Sequence, residues 1–137
     1  MIYEFKGMYK NKPIVEQYTI NLIKSYKLHL RKTGHISIRF TNNMGEGSDD
    51  HIGSCLGDRQ YASILISRKQ SFLSQMRCLA HEMIHAKQFL RGELSPSGTV
   101  WKGTYTGDMK YGTEPFEIEA YDGEDALFMK TFPFDMM

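Results

Sequence analysis

Residues 71–92 read SFLSQMRCLAHEMIHAKQFLRG, and this stretch decides the fold. Ser71 can cap the start of a helix, and the first glycine that could end it is Gly92, so the sequence predicts a helix over 72–90. Successive residues of a helix are about 100° apart, which gives this one two faces. The apolar face holds Phe72, Met76, Leu79, Met83, Ala86 and Leu90, and the polar face holds Ser74, Cys78, His81, His85 and Gln88. We expect the apolar face to lie in a core and the polar face to carry the chemistry.

The residues before this helix predict one more helix and two strands. A helix follows Pro13, and Gly34 is placed as its C-cap. Its apolar residues recur at spacings of three or four: Val15, Tyr18, Leu22, Tyr26 and Leu30. Alternating apolar side chains predict strands over 35–41 and 61–67. The turn-rich segment 42–60 is long for a loop, so it is expected to be functional or mobile, or to contain a short strand near 51–56.

The residues after this helix predict a hairpin and a closing helix. The segment 101–105 is typical of a short edge strand or hairpin arm, and the last helix runs from Pro115 to about Lys130. The apolar tail 132–137 is expected to pack against the rest of the chain. We therefore expect an α+β fold: an N-terminal helix, a small mixed or mostly antiparallel sheet, the helix 72–90 and a closing C-terminal helix.

Length and composition narrow the possible classes of protein. A chain of 137 residues predicts a single domain over 1–137. Seventeen basic against sixteen acidic residues give a net charge of +1, which argues against a nucleic-acid partner. Two cysteines are too few for a disulfide scaffold or a four-cysteine zinc ribbon. No apolar run reaches the roughly 20 residues of a membrane span, and the N-terminus lacks a leader-like apolar core, so we expect a cytoplasmic protein with no membrane partner.

The predicted helix contains His81-Glu82-Met83-Ile84-His85, a match to the pattern H-E-x-x-H. Histidines four residues apart lie about 40° apart on one helix face, so His81 and His85 can both reach one Zn²⁺. Glu82 is offset by about 100°, which suits a general base rather than a ligand. A chance match is expected in only about one chain in a hundred of this composition.

Two neighbours on the polar face leave alternatives open. Cys78 lies one turn before His81 and could add a thiolate ligand, although a free cysteine on a helix is more often a buried packing residue. Gln88 lies three residues after His85. It is either a hydrogen-bonding partner of that histidine or a polar surface residue.

A catalytic zinc site usually has three protein ligands, so a third must come from elsewhere in the chain. The other histidines are His29, His35 and His51, and none has the compact downstream spacing of a third histidine ligand. The segment 114–121, EPFEIEAY, supplies a better source because it places glutamates on the first turns of the last helix: Glu114, Glu117 and Glu119.

This arrangement resembles a known class of enzymes, the gluzincin zinc metallopeptidases. The resemblance spans roughly residues 61–128, and the sequence pattern is most similar to that of small single-domain minigluzincins. It extends to metallopeptidases encoded by phages, through Trp101, Gly103, Tyr111 and the segment 115–120. In that class the third ligand is the glutamate three residues before an alanine, which corresponds to Glu117, with Glu119 as the competitor. Glu117 also shares a helix face with Tyr121 and Glu124, which could orient a carboxylate or a water.

The resemblance implies a zinc-dependent peptidase that acts on a protein or peptide substrate, in the host cytoplasm if the chain is phage-encoded. Zn²⁺ would be held by His81, His85 and Glu117, and Glu82 would take a proton from the attacking water. Tyr111 is the preferred candidate for stabilising the transition state, ahead of Tyr105, Tyr121 and His51. An extended substrate would lie along strand 61–67, which we expect at an edge of the sheet.

A second function of a different class remains open at this point. The chain could keep the zinc site as a catalytically silent binding or regulatory module, for example a phage protein that acts on a host factor. Binding of single-stranded nucleic acid is disfavoured because the aromatic residues fall at predicted core positions. The sequence predicts neither the oligomeric state nor the cleavage specificity.

Overall fold

A computed structural model describes residues 1–44 and 52–137, and over them the chain is a mixed α+β protein. Its helices are α1 (Lys12–Ser25), α2 (Phe72–Leu90) and α3 (Pro115–Thr131), with short 3₁₀ turns at Leu28–Leu30 and Phe134–Met136. Its strands are β1 (Ile2–Gly7), β2 (His35–Thr41), β3 (Gly53–Gly57), β4 (Tyr61–Ser67), β5 (Val100–Trp101) and β6 (Thr104–Tyr105). The predicted spans of β2, β4 and α2 are confirmed to the residue, and the short strand expected near 51–56 is β3.

The main sheet has the strand order β1-β2-β4-β3 and is mixed. β1 pairs parallel with β2, β2 pairs parallel with β4, and only β3 runs antiparallel to its neighbour β4. Of the two expected sheets, the mixed one is confirmed and the mostly antiparallel one is wrong, because the crossover through α1 returns the chain parallel to β1. The expectation that strand 61–67 lies at an edge is also wrong, since β2 and β3 cover β4 on both sides.

The N-terminal third differs from the prediction in two ways. The first element is a strand, β1, rather than a helix. The first helix ends at Ser25, and Lys27 takes a left-handed backbone with φ of 57° before the turn at Leu28–Leu30. Gly34 therefore does not cap the helix; its carbonyl accepts from the N–H of Ile2 and so precedes the β1–β2 pair.

The core lies between the sheet and the three helices. Its largest fully buried side chains come from α1, the sheet and α2: Tyr18, Leu22, Ile36, Ile38, Ile64, Ile66, Met76, Leu79 and Met83. Helix α3 adds Ala120, Leu127 and Phe128 to this core. The Tyr18 hydroxyl donates to the carbonyl of Met76 at 2.8 Å, which ties α1 to α2. The ring of Phe132 packs edge-on against Tyr18 and is buried. The predicted packing of the tail 132–137 is therefore confirmed for its first residue.

From Cys78 onward α2 is buried on almost every side, because the sheet covers one face and α3 covers another. Polar residues of this segment are therefore enclosed between elements rather than solvated. No helix among the described residues is long and apolar enough to cross a membrane.

Candidate metal centre

The local structure that positions the site is the capped helix α2. The Ser71 hydroxyl accepts from the N–H of Ser74 at 3.2 Å, which satisfies one of the free donors at the helix start. His81 and His85 then follow one turn apart, and their rings lie 5.0 Å apart between centroids. The third helix, α3, packs across this turn and brings Glu117 to the histidines.

Three side chains from these two helices converge. Nε2 of His85 lies 2.5 Å from Oε1 of Glu117, and Nε2 of His81 lies 3.9 Å from the same oxygen. One possible ligand atom from each of the three residues lies within 4.8 Å of the others. Ligand atoms that surround a tetrahedral Zn²⁺ at ~2.0–2.1 Å are about 3.3 Å apart, so small adjustments would allow this group to hold one such ion.

Glu119, the competing third ligand, faces a different part of α2. Its Oε1 lies 2.5 Å from Nζ of Lys87 and 3.1 Å from Nε2 of Gln88. Side chains that are two residues apart in a helix point about 200° away from each other around its axis. Glu117 and Glu119 therefore cannot face the same point. Of the glutamates at the start of α3, the structure brings Glu117 to the histidine pair.

The electrostatics of the three donors suit a cation. Burial and the charge of His85 lower the pKa of His81 to about 4, so its imidazole is neutral at neutral pH. Burial disfavours the charged form of His85, but its hydrogen bonds with Glu117 and Gln88 and the negative charges of Glu82 and Glu117 together outweigh burial and raise the pKa of the ring. The same hydrogen bond holds the pKa of Glu117 below its ordinary value. An ionised carboxylate therefore faces two imidazoles, which is the donor set of a divalent metal.

His85 also has a hydrogen-bonding partner on its other nitrogen, as metal-ligating histidines usually do, and His81 has a carboxylate near its own. Nδ1 of His85 lies 2.7 Å from Oε1 of Gln88, so Gln88 is a buried hydrogen-bonding partner and not a surface residue. Nδ1 of His81 lies 3.6 Å from Oε2 of Glu124, and the ring of Tyr121 packs 4.7 Å from the His81 ring. The expected shared face of Glu117, Tyr121 and Glu124 is thus turned toward His81.

Glu82 is a buried acid beside the donors but outside the group of three. Burial, opposed by the charge of His85 and reinforced by Glu117 and Glu124, raises the pKa of Glu82 to about 7. A carboxylate with a pKa near the working pH can both take and return a proton.

Gly53, on strand β3, lets the sheet lie close to the carboxylate of Glu82. A Cβ at this position would lie 2.3 Å from Sγ of Cys78 and 3.0 Å from Oε2 of Glu82. Only glycine therefore fits without movement of its neighbours. Sequence reasoning missed this role of Gly53, because nothing in the local pattern links it to α2.

Cys78 is a packing residue rather than a ligand. Its thiol donates to the carbonyl of Ile52 at 3.3 Å and does not belong to the group of three donors. Burial raises the thiol pKa well above its ordinary value, which disfavours the thiolate that a metal would need.

The donors and Glu82 open onto a cavity of about 550 Å³ between β3, α2 and α3. Tyr111 and Tyr121 line it, and Tyr111 is largely exposed at its rim. Burial and the neighbouring Tyr111 raise the pKa of Tyr121 to about 12, so that hydroxyl stays a hydrogen-bond donor. Tyr105 lies in the β5–β6 hairpin and is not among the described residues that line the cavity.

The remaining sequence candidates lie elsewhere. His29 is in the 3₁₀ turn after α1, and His35 pairs with Glu4 at 2.9 Å on the β1–β2 surface. His51 lies outside the described residues. The structure thus assembles His81, Glu82, His85 and Glu117 in one place.

No protein-family model matches the chain, and no curated protein matches it. The function is therefore inferred from the geometry of this site.

Proposed function

We propose that this chain is a zinc-dependent metallopeptidase with a zincin-like fold, similar to the small gluzincins. His81, His85 and Glu117 would hold Zn²⁺, and Glu82 would act as the general base. The observation that supports this proposal is the convergence of two imidazoles and a carboxylate from separate helices, beside a buried acid and an open cavity.

A bound Zn²⁺ would supply Lewis acidity, which polarises a substrate carbonyl and makes a water more acidic. Glu82 lies at the cavity wall, where its carboxylate can take a proton from the attacking water. It can later deliver that proton to the nitrogen of the leaving amine. Because α2 is packed on both sides at this point, Glu82 and the histidines keep their relative positions through these transfers.

The cavity also has the features needed for a peptide. Gly53, Ser54 and Cys55 of β3 line it, and β3 is the last strand of the sheet on that side among the described residues. An extended peptide would add to the free edge of β3 through main-chain hydrogen bonds. Tyr111 at the rim would donate to the oxyanion that forms at the scissile carbonyl.

The experiment that tests the function compares the wild-type protein with Glu82→Gln. Zinc is measured by elemental analysis after dialysis, and hydrolysis is followed by mass spectrometry of a mixed peptide library. We expect both proteins to bind one zinc ion, with hydrolysis reduced about 10²–10⁴-fold in the variant, the range that a general base contributes. Glu16→Gln, an exposed site on α1, is the matched control and should cleave at the wild-type rate.

Two outcomes would overturn the proposal. A wild-type protein that retains no zinc would remove the metal centre. A wild-type protein that binds zinc but cleaves none of the peptides would instead favour a silent binding module.

A further inference from the structure

A second, smaller cavity adjoins the candidate metal centre. Its volume is about 160 Å³. It shares Cys55, His85 and Glu117 with the large cavity onto which Glu82 opens. The rest of its described wall comes from β3, the end of α2, the start of α3 and the loop that follows α2: Leu56, Phe89, Phe116, Leu94, Pro96, Ser97 and Gly98. Cavities for drug-sized ligands measure roughly 300–1,000 Å³, so this small cavity suits a single side chain.

The loop that forms one wall of the small cavity is held in place by its own hydrogen bonds. The N–H of Ser95 donates to the carbonyl of Val100 at 2.9 Å, and the N–H of Gly98 donates to the carbonyl of Ser95 at 2.8 Å. Leu94 and Phe89 are both buried. The wall is therefore formed by ordered, packed residues, as is usual for ligand sites.

The lining of the small cavity favours an uncharged, apolar side chain. Five of its members are apolar: Leu56, Phe89, Leu94, Pro96 and Phe116. Besides His85 and Glu117, which contact each other, the described lining carries no charged side chain. A lysine or glutamate side chain would lose its water here without gaining a partner, which is costly. A leucine or methionine side chain would instead remove apolar area from water, which is favourable.

Strand β3 leads from the large cavity to the small one. Its first residue, Gly53, lies beside Glu82 and lines the large cavity, whereas Leu56 lines the small cavity. Cys55, between them, lines both. A peptide paired with the free edge of β3 would thus reach both cavities. Antiparallel pairing is more stable per residue than parallel pairing, and it places the N-terminal part of the peptide at the Leu56 end.

We propose that the small cavity binds one uncharged, apolar side chain of the substrate, from the residue directly before the cleaved bond. Leu56 is the specificity-determining residue that is easiest to replace, because it stands at the rim with 71% of its surface exposed. The position relative to the cleaved bond rests on the proposed function. Binding of an apolar side chain in the cavity does not.

The first test measures binding to the metal-free protein. N-acetyl-leucine amide is titrated, up to its solubility limit, into protein with ¹³C-labelled leucine methyl groups, and the signals of Leu56 and Leu94 are followed by NMR. N-acetyl-lysine amide and N-acetyl-glutamate amide are titrated in the same way. We expect the leucine compound to shift both signals and neither charged compound to do so at the same concentration. Unchanged signals with the leucine compound, or equal shifts with all three, would overturn the proposal.

The second test identifies the products that the wild-type protein forms from the mixed peptide library. We expect leucine and methionine directly before the cleaved bond, favoured at least about tenfold over lysine and glutamate. Cleavage without a preference at that residue would overturn the proposal and leave the metallopeptidase function standing. If the wild-type protein cleaves no peptide, the metallopeptidase proposal fails instead, and the NMR titration still decides whether the cavity binds an apolar side chain.

Opposite charges at Leu56 separate an effect on specificity from a loss of stability. Leu56→Glu should shift cleavage toward peptides with lysine before the bond, and Leu56→Lys toward peptides with glutamate there. We expect each to change the ratio of charged to leucine substrates by about fivefold. A loss of stability would affect both variants in the same direction, and circular dichroism confirms that each is folded.

Leu30→Glu is the matched control, because Leu30 is 68% exposed and is not among the described residues that line either cavity. It should keep the wild-type specificity. Wild-type specificity in both Leu56 variants would overturn the proposal.

Discussion

Nε2 of His85 and Oε1 of Glu117 lie 2.5 Å apart, although the two residues belong to different helices. A lone pair and a carboxylate oxygen this close repel each other unless a proton or a metal ion lies between them. Metal binding at this point would therefore replace a proton. It would also join α2 and α3 across a contact that otherwise depends on protonation of His85.

Replacement of Glu117 by alanine should abolish tight zinc binding. We expect the Kd for Zn²⁺ to rise more than about 100-fold, since a direct ligand should matter more than outer-shell partners, which cost about 10–100-fold. Isothermal titration of the metal-free protein gives the value. Asp122→Asn, an exposed acid on the same helix, is the control and should leave the Kd unchanged. Equal affinities of the Glu117 variant and the wild type would exclude Glu117 as a ligand.

Replacement of Tyr111 by phenylalanine should lower kcat while KM stays close to the wild-type value. If the hydroxyl contacts the developing oxyanion, its loss should reduce kcat by about 10²-fold, as for other oxyanion donors. Tyr105→Phe removes an exposed hydroxyl that does not line the described cavity and should have no effect. A rise in KM alone would assign Tyr111 to substrate binding instead.

Gly53→Ala should destabilise the fold, because the added Cβ would meet Sγ of Cys78 at 2.3 Å. Overpacking of this kind costs about 1–3 kcal/mol in the free energy of unfolding. Urea denaturation followed by circular dichroism measures the change. Leu56→Ala on the same strand removes a side chain that is 71% exposed and should change stability by less than about 0.5 kcal/mol. A neutral Gly53→Ala would show that β3 can move away from α2 at little cost.

The buried hydroxyl of Tyr18 should lower the free energy of unfolding at alkaline pH. Burial raises the pKa of its hydroxyl above the ordinary value of 10.0, so the folded state keeps the proton that the unfolded state loses. The stabilisation is complete below pH 10 and declines as the pH rises above it, by at most about 1.4 kcal/mol per pH unit. Tyr18→Phe has no proton to lose at this position, so its decline should be shallower than that of the wild type. Parallel slopes in urea titrations across this range would contradict the prediction.

Local patterns were sufficient for the elements whose ends are marked in the sequence. Helix α2 has a serine cap and a terminating glycine, Ser71 and Gly92, and its predicted span is correct. The alternation in β2 and β4 predicted both strands because one face of each is buried. The motif from His81 to His85 could be placed on one helix face for the same reason.

The errors arise where the local pattern does not determine the structure. Apolar spacing continues through Tyr26 and Leu30, but the left-handed backbone at Lys27 converts the end of the first helix into a 3₁₀ turn. Strand β1 was missed because the apolar side chains of 2–7 are largely exposed or only half-buried. The order of the strands depends on crossovers between distant segments, so the central position of β4 could not be read from its own residues.

In the candidate metal centre too, the local sequence pattern determines some features, whereas others depend on how distant segments pack. Spacing along one helix predicted that two histidines share a face, but it could not distinguish Glu117 from Glu119. Their directions depend on the rotation of α3 against α2, which the Lys87–Glu119 pair helps to set. The roles of Lys87 and Gly53 involve residues far apart in the chain, and no short pattern contains that information.

Over the part of the chain that the structure describes, β1 and β3 are the outer strands of the sheet, and they also affect how copies of the protein behave at high concentration. Glu4 and Lys6 place charges on β1, and β3 offers only five residues. Charged or very short outer strands are poor templates for endless pairing between molecules. The free edge of β3 is thus long enough to pair with a short extended peptide but too short to support the growth of a fibril. Concentrated solutions of this protein should therefore resist polymerisation through the sheet.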